Sequence, residues 1–131
     1  MNCGTDIIEI SRIKETIEKN GQLFLEKIYT ENEIDYCEKH SAAKYQHYAA
    51  RFAAKEAVSK FLGTGFVGEF DWREIEVVNN DFGKPEVILK GKALDVFNKL
   101  GYKEINISLS HCKEYATSVV VGYWQIIHLY V

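Results

Sequence analysis

The chain has 131 residues, a formal net charge of −3, a pI near 5.8 and a hydrophobic content of 47%. That length suits one domain over residues 1–131, and the acidic balance excludes a protein that relies on a broad basic field to bind nucleic acid. Cys3, Cys37 and Cys112 form no C-x-x-C pair, and MNCGTDIIEISRIKE is charged too early for a signal peptide or membrane span; a soluble cytoplasmic protein with reduced thiols and no membrane partner is expected.

In chain order, Cys3–Ile10 reads as a short strand carrying Asp6 and Glu9. Ser11 is placed to cap a helix over Arg12–Lys19 that stops at Asn20-Gly21. The run TENE, with Thr30 at the cap and Glu33 three residues on, predicts a second helix start by a capping box. The alanine-rich segment Lys44–Leu62 predicts a long helix, ended by Gly63-Thr64-Gly65. Beyond Gly68 the pattern turns to strands. Glu74–Asn79 and Glu86–Lys90 flank the turn residues NDFGKP, which is a hairpin signature. Gly91–Leu100 has helical spacing at Ala93, Leu94, Phe97 and Leu100. Ile105–Ser110 and Tyr115–Val121 then bracket a second hairpin, and the tail WQIIHLYV fits either a last strand or a contact with a neighbour. Helices early and antiparallel strands late define an α+β class.

The segment RFAAKEAVSKFLGTG (Arg51–Gly65) carries more charge than a packing helix needs. At about 100° per residue, Ala50, Ala53, Ala54, Ala57, Val58 and Phe61 share one face. Lys55, Glu56, Ser59 and Lys60 share the other. An ordinary reading makes Glu56–Lys60 a surface i,i+4 pair worth about 0.2–0.5 kcal/mol. Asp6 argues for a second reading, since a carboxylate in an apolar strand must be paired, solvated or bound to a metal. One strand carboxylate and one helix carboxylate suit magnesium, which takes one or two protein ligands and completes its shell with water and substrate phosphates. Gly63 and Gly65 free backbone amides near an anion, without the spacing of a Walker loop. In INISLSH, Asn106, Ser108 and Ser110 point to one side, Ile105, Ile107 and Leu109 to the other, and His111 stands at the strand end.

Four blocks, GTDIIEI, RFAAKEAVSKFLGTG, NDFGKPEV and INISLSHCKEYATSVVV, occur in this order over nearly the whole chain. With KEAxxK, an upstream GxD and a downstream S-x-SH, the chain resembles the holo-acyl-carrier-protein synthases, the small stand-alone 4′-phosphopantetheinyl transferases. The resemblance implies that family's α+β fold, with N-terminal helices packed on a mainly antiparallel sheet, and a homotrimer with active sites between protomers. It implies transfer of 4′-phosphopantetheine from coenzyme A to a serine of an acidic apo acyl carrier protein, with release of adenosine 3′,5′-bisphosphate, in support of fatty acid biosynthesis. By similarity, Asp6 and Glu56 hold magnesium and Lys60 meets the phosphates, these three being the catalytic set. Lys60, Gly63, Thr64, Gly65, Lys84, Pro85, Ser110 and His111 line the coenzyme A cleft, with His111 toward the 3′-phosphate. The serine proton goes to Glu56 or to a metal-bound water. Lys55 and Arg51 fit phosphate contacts or a salt-bridged face equally.

One departure concerns the carrier. The family meets it with a basic first helix, whereas here Arg12, Lys14, Lys19 and Lys27 are interleaved with Glu15, Glu18 and Glu26. Docking is therefore expected to draw on Leu23, Phe24 and Ile28, or on Lys39, Lys44, His40 and His47. Two rival classes are a non-catalytic carrier- or nucleotide-binding module, which has no use for Asp6 and Glu56 together, and a small phosphohydrolase, which wants further carboxylates for a second metal.

Overall fold

The computed structural model describes residues 1–63 and 70–124. The chain opens with β1 (Asn2–Glu9), followed by α1 (Ile10–Asn20), α2 (Gln22–Ile28) and α3 (Glu31–Glu38). A 3-10 turn at Ser41–Ala43 leads into α4 (Lys44–Leu62). After a second 3-10 turn, Trp72–Glu74, come β2 (Ile75–Asn79), β3 (Pro85–Leu89), α5 (Gly91–Lys99), β4 (Glu104–His111) and β5 (Tyr115–Tyr123). The strands form two antiparallel sheets, ordered β1-β5-β4 and β2-β3. Thr64 and Gly65, and the tail residues Gln125–Val131, lie outside the described residues.

Most element boundaries follow from local chemistry. The Thr30 capping box forms as expected, with the Glu33 N–H on Thr30 Oγ1 at 3.2 Å and the Thr30 N–H on Glu33 Oε1 at 2.9 Å. Gly21 ends α1 at φ 56°, a conformation that suits glycine. Both hairpins form, and Ile107 is buried while Asn106, Ser108 and Ser110 are exposed.

Ser11 does not cap α1. The helix begins at Ile10, whose N–H donates to the Glu114 carbonyl at 2.9 Å, and Glu9 occupies the cap position without a side-chain bond. Burial of Ile10 with Ile13 and Ile17 draws the chain into the helix two residues earlier than the cap signal indicates. The short α2 has no expected counterpart; it is held by buried Leu25 and Ile28. In α5, Ala93, Val96 and Phe97 are buried, whereas Leu94 and Leu100 remain partly exposed.

The long helix α4 lies between two apolar clusters. On one side Ala54, Ala57, Val58 and Phe61 meet β2, α5, β4 and β5; on the other Tyr48, Ala49 and Ala50 meet α1, α2 and α3. Small residues let the sheet come close. A Cβ on Gly4 of β1 would strike the Ala57 carbonyl, and one on Gly122 of β5 would strike the Phe61 ring. The expected polar face of α4 is therefore divided. Lys55 and Ser59 are buried, and only Glu56 and Lys60 reach the open side.

Candidate active site

Asp6 sits in the second half of β1, opposite Ser118 of β5. Thr117 Oγ1 donates to the Asp6 carbonyl at 2.8 Å and Thr5 Oγ1 to the Ser118 carbonyl at 3.0 Å, which pins this register. Across from it, α4 presents Glu56 and, one turn on, Lys60. The Lys60 ammonium donates to Asp6 Oδ1 at 2.9 Å and to the Thr5 carbonyl at 3.1 Å. The surface pair that helix spacing offers, Glu56 with Lys60, is not the one made: Lys60 bridges to the strand.

Glu56 is half-buried, and its carboxyl is raised from the ordinary value, first by burial and then by the negative charge of Asp6; Lys60 opposes the rise. Asp6 and Glu56 line one hollow of about 370 Å³, together with Arg12, Thr16, Phe24 and Phe52. Two carboxylates that repel one another beside an open space are a donor set of hard oxygens. That chemistry fits a magnesium ion sharing its remaining positions with water and phosphate. Among the described residues, no group of three or more His, Cys, Asp or Glu is arranged to hold a metal, so a cation here would rest on these two alone.

The other expected residues are distributed around this centre. Gly63 caps α4, its N–H donating to the Ser59 carbonyl at 3.1 Å and the Lys60 carbonyl at 3.2 Å, at φ 110°. Lys84 and Pro85 line a separate hollow of about 260 Å³ against Ile105, Asn106 and Ile107 of β4. Ser110 and His111 are exposed at the end of β4. His111 stands 6.3 Å from His47 between ring centroids, and His47 is 3.9 Å from His40 and 5.4 Å from Tyr36. In the sequence, His40 and His47 are expected at the carrier-docking surface, and Tyr36 carries no local signal. Their nearness to His111 depends on α3, α4 and β4 meeting, which no local spacing signals.

Lys55 and Arg51 are buried and bonded within the fold. Lys55 pairs with Glu33 at 2.7 Å, and Arg51 Nη2 donates to Asn79 Oδ1 at 2.6 Å with its guanidinium 4.0 Å over the Tyr36 ring. Of the apolar docking candidates, Ile28 is buried in the core, Phe24 stacks on Phe52 at 6.4 Å, and Leu23 is 80% exposed.

Fold and centre together describe a small α+β protein that faces a strand carboxylate with a helix carboxylate and lysine, an arrangement suited to a hard cation and phosphate. A sequence model of the 4′-phosphopantetheinyl transferase superfamily matches residues 2–120, and the chain belongs to that family. It is 54% identical over 121 residues to the holo-[acyl-carrier-protein] synthase of Ruminiclostridium cellulolyticum, covering 92% of this chain and 90% of that one. The synthase of Caldanaerobacter subterraneus is 49% identical over 119 residues, with 91% of each chain covered. Among solved structures, the Helicobacter pylori synthase in complex with coenzyme A superposes with a TM-score of 0.80 at 30% identity, covering 92% of this chain and 99% of that one. The Bacillus anthracis synthase in complex with coenzyme A (3′,5′-ADP) does so with a TM-score of 0.75 at 38% identity, over 92% and 94%.

Proposed function

We propose that the protein is a holo-acyl-carrier-protein synthase, one transferase domain over residues 1–131 that moves 4′-phosphopantetheine from coenzyme A to a serine of an apo acyl carrier protein. The observation that carries the reading is the convergence of Asp6, Glu56 and Lys60 from β1 and α4 onto one open face. In the reaction the serine oxygen attacks the phosphorus that bears phosphopantetheine, and the bond from that phosphorus to the oxygen of adenosine 3′,5′-bisphosphate breaks. Such a displacement needs placement and charge neutralisation more than covalent help. Asp6 and Glu56 would hold magnesium, which when bound supplies neutralisation of the pyrophosphate charge. Lys60, tethered by Asp6 and the Thr5 carbonyl, keeps a positive charge beside the departing phosphate. The serine hydrogen would go to the Glu56 carboxylate, which lines the hollow beside Asp6, or to a water at the same place. By the family resemblance, Gly63, Lys84, Pro85, Ser110 and His111 would contact coenzyme A, as would Thr64 and Gly65, which lie outside the described residues.

The binding module and the two-metal hydrolase have weaker support, since the first leaves the carboxylate pair without purpose and the second asks for more carboxylates. The same reading makes the enzyme a cytoplasmic contributor to fatty acid biosynthesis and a homotrimer; among the described residues no helix is long and apolar enough to cross a membrane. The test is direct. Coenzyme A, magnesium and an apo carrier protein are mixed with the enzyme, and the carrier is weighed by mass spectrometry. A phosphopantetheine mass added to the carrier is expected; none on any of several carriers refutes the function. Asp6→Ala and Glu56→Ala should each lower the rate by about 100-fold or more while melting as the parent does, and chelator should do the same. Full activity in either variant rejects the site.

A further inference from the structure

A second polar cluster lies on the side of α4 away from Asp6. Lys55 and Glu33 are both 0% exposed. The Lys55 ammonium donates to Glu33 Oε1 at 2.7 Å, to the Trp72 carbonyl at 3.2 Å and to the Ile75 carbonyl, which occupies all three of its N–H groups. Glu33 Oε1 also accepts the Thr30 N–H at 2.9 Å, and Oε2 accepts the Val77 N–H at 2.9 Å. One ion pair thus ties α4 to the start of α3, to the turn before β2 and to β2 itself.

Stability is a poor explanation for this choice. Burying two charges carries a desolvation cost, and a well-packed apolar pair of similar volume is often as stable or more so. What the pair supplies is direction. Three fixed acceptors hold the ammonium in one place, and with it the roll of α4 about its own axis. Glu56 is the next residue and emerges toward Asp6. A roll of about 10° would carry its carboxylate, some 6 Å from the axis, sideways by about 1 Å. A displacement of that size can cost about 100-fold in rate.

We propose that the Lys55–Glu33 pair is a positioning element for phosphopantetheine transfer, setting the roll of α4 that brings Glu56 and Lys60 to Asp6. The pair touches no reacting atom, and the proposal rests on the site reading above. The test uses the full chain carrying Glu33→Gln, and separately the double variant Glu33→Leu with Lys55→Met. Transfer to an apo carrier gives kcat and the KM for coenzyme A. Thermal melting reports the fold, and electron paramagnetic resonance of free Mn²⁺ reports cation binding in the presence of coenzyme A. Both variants should melt cooperatively and lose about 10- to 100-fold in kcat, with KM for coenzyme A within about threefold of the parent. Their Mn²⁺ dissociation constants should rise by about fivefold or more, because two misaligned carboxylates no longer share one ion.

A folded variant with kcat within about twofold of the parent overturns the proposal. So does a fall in kcat with unchanged Mn²⁺ affinity, which signals only a smaller active fraction. If the double variant does not fold, Glu33→Gln decides, since it keeps an acceptor for the Val77 N–H; failure of both to fold makes the pair a stability element and overturns the proposal as well. Glu56→Ala is assayed alongside. Full activity there rejects the site reading itself, whereas an inactive Glu56→Ala beside an unaffected Glu33→Gln rejects only the positioning role.

Discussion

Lys60 reaches across to Asp6 and not to Glu56, one turn behind it on the same helix. The strand supplies two acceptors, the Asp6 carboxylate and the Thr5 carbonyl, where the helix neighbour supplies one half-buried carboxylate. The outcome is a lysine held at Asp6, one of the two carboxylates that line the hollow. Lys60→Met should lower kcat by about 10- to 100-fold in the carrier assay, and a parent-like rate would remove Lys60 from the catalytic set. His47 is the other informative single residue. Burial pushes its pKa down to about 4, and the neighbouring His40, Arg51 and His111 add to the fall. With the folded value below the unfolded 6.5, the unfolded chain takes up the proton first. The contribution is therefore whole above about pH 6.5 and is lost as pH falls toward about 4. Melting temperature should decline from pH 6.5 to pH 5, less steeply in His47→Phe. Equal slopes in the two proteins would show that His47 is not the group responsible.

At the scale of elements, the site depends on how closely β1 and β5 approach α4. Gly4 and Gly122 permit that approach, because a Cβ at either would enter the Ala57 carbonyl or the Phe61 ring. Gly4→Ala forces backbone against backbone and should cost about 1–3 kcal/mol, measured by denaturant unfolding. Since Gly4 lies two residues from Asp6 on the same strand, the displacement should also lower transfer activity. A variant with parent stability and parent rate would mean that the strand is not held by this contact.

At the scale of the whole molecule, one sheet face is left uncovered among the described residues. On the outer side of β1 and β5, Ile7 is 64% exposed, Val119 is 45% exposed, and Tyr115 lies further along the same face. The register sets Thr5 beside Val119 and Ile7 beside Thr117 as one continuous patch. An apolar face of this kind suits contact with further copies of the chain, in line with the proposed homotrimer. Val119→Lys should shift the mass measured by light scattering from trimer to monomer and reduce transfer, if the active site lies between protomers. A parent protein that runs as a monomer would reject the trimer outright.

Legibility differed by the range of the forces involved. The Thr30 cap, the Gly21 stop, both hairpins and the limits of α4 are set within a few residues, so spacing and turn chemistry reveal them. The identity of Asp6, Glu56 and Lys60 as the residues of interest also came from the chain alone, through four blocks in fixed order. Three things needed the tertiary structure: the bridge from Lys60 to Asp6, the burial of Lys55 with Glu33, and the grouping of His40, His47 and His111. Each depends on elements far apart in sequence packing face to face. A helix of 3.6 residues per turn tells which side chains share a face, but not whether that face meets water, a sheet or another helix. On α4 two faces are covered, and so two lysines that look alike in the sequence take different partners, Lys55 in the core and Lys60 at the open site.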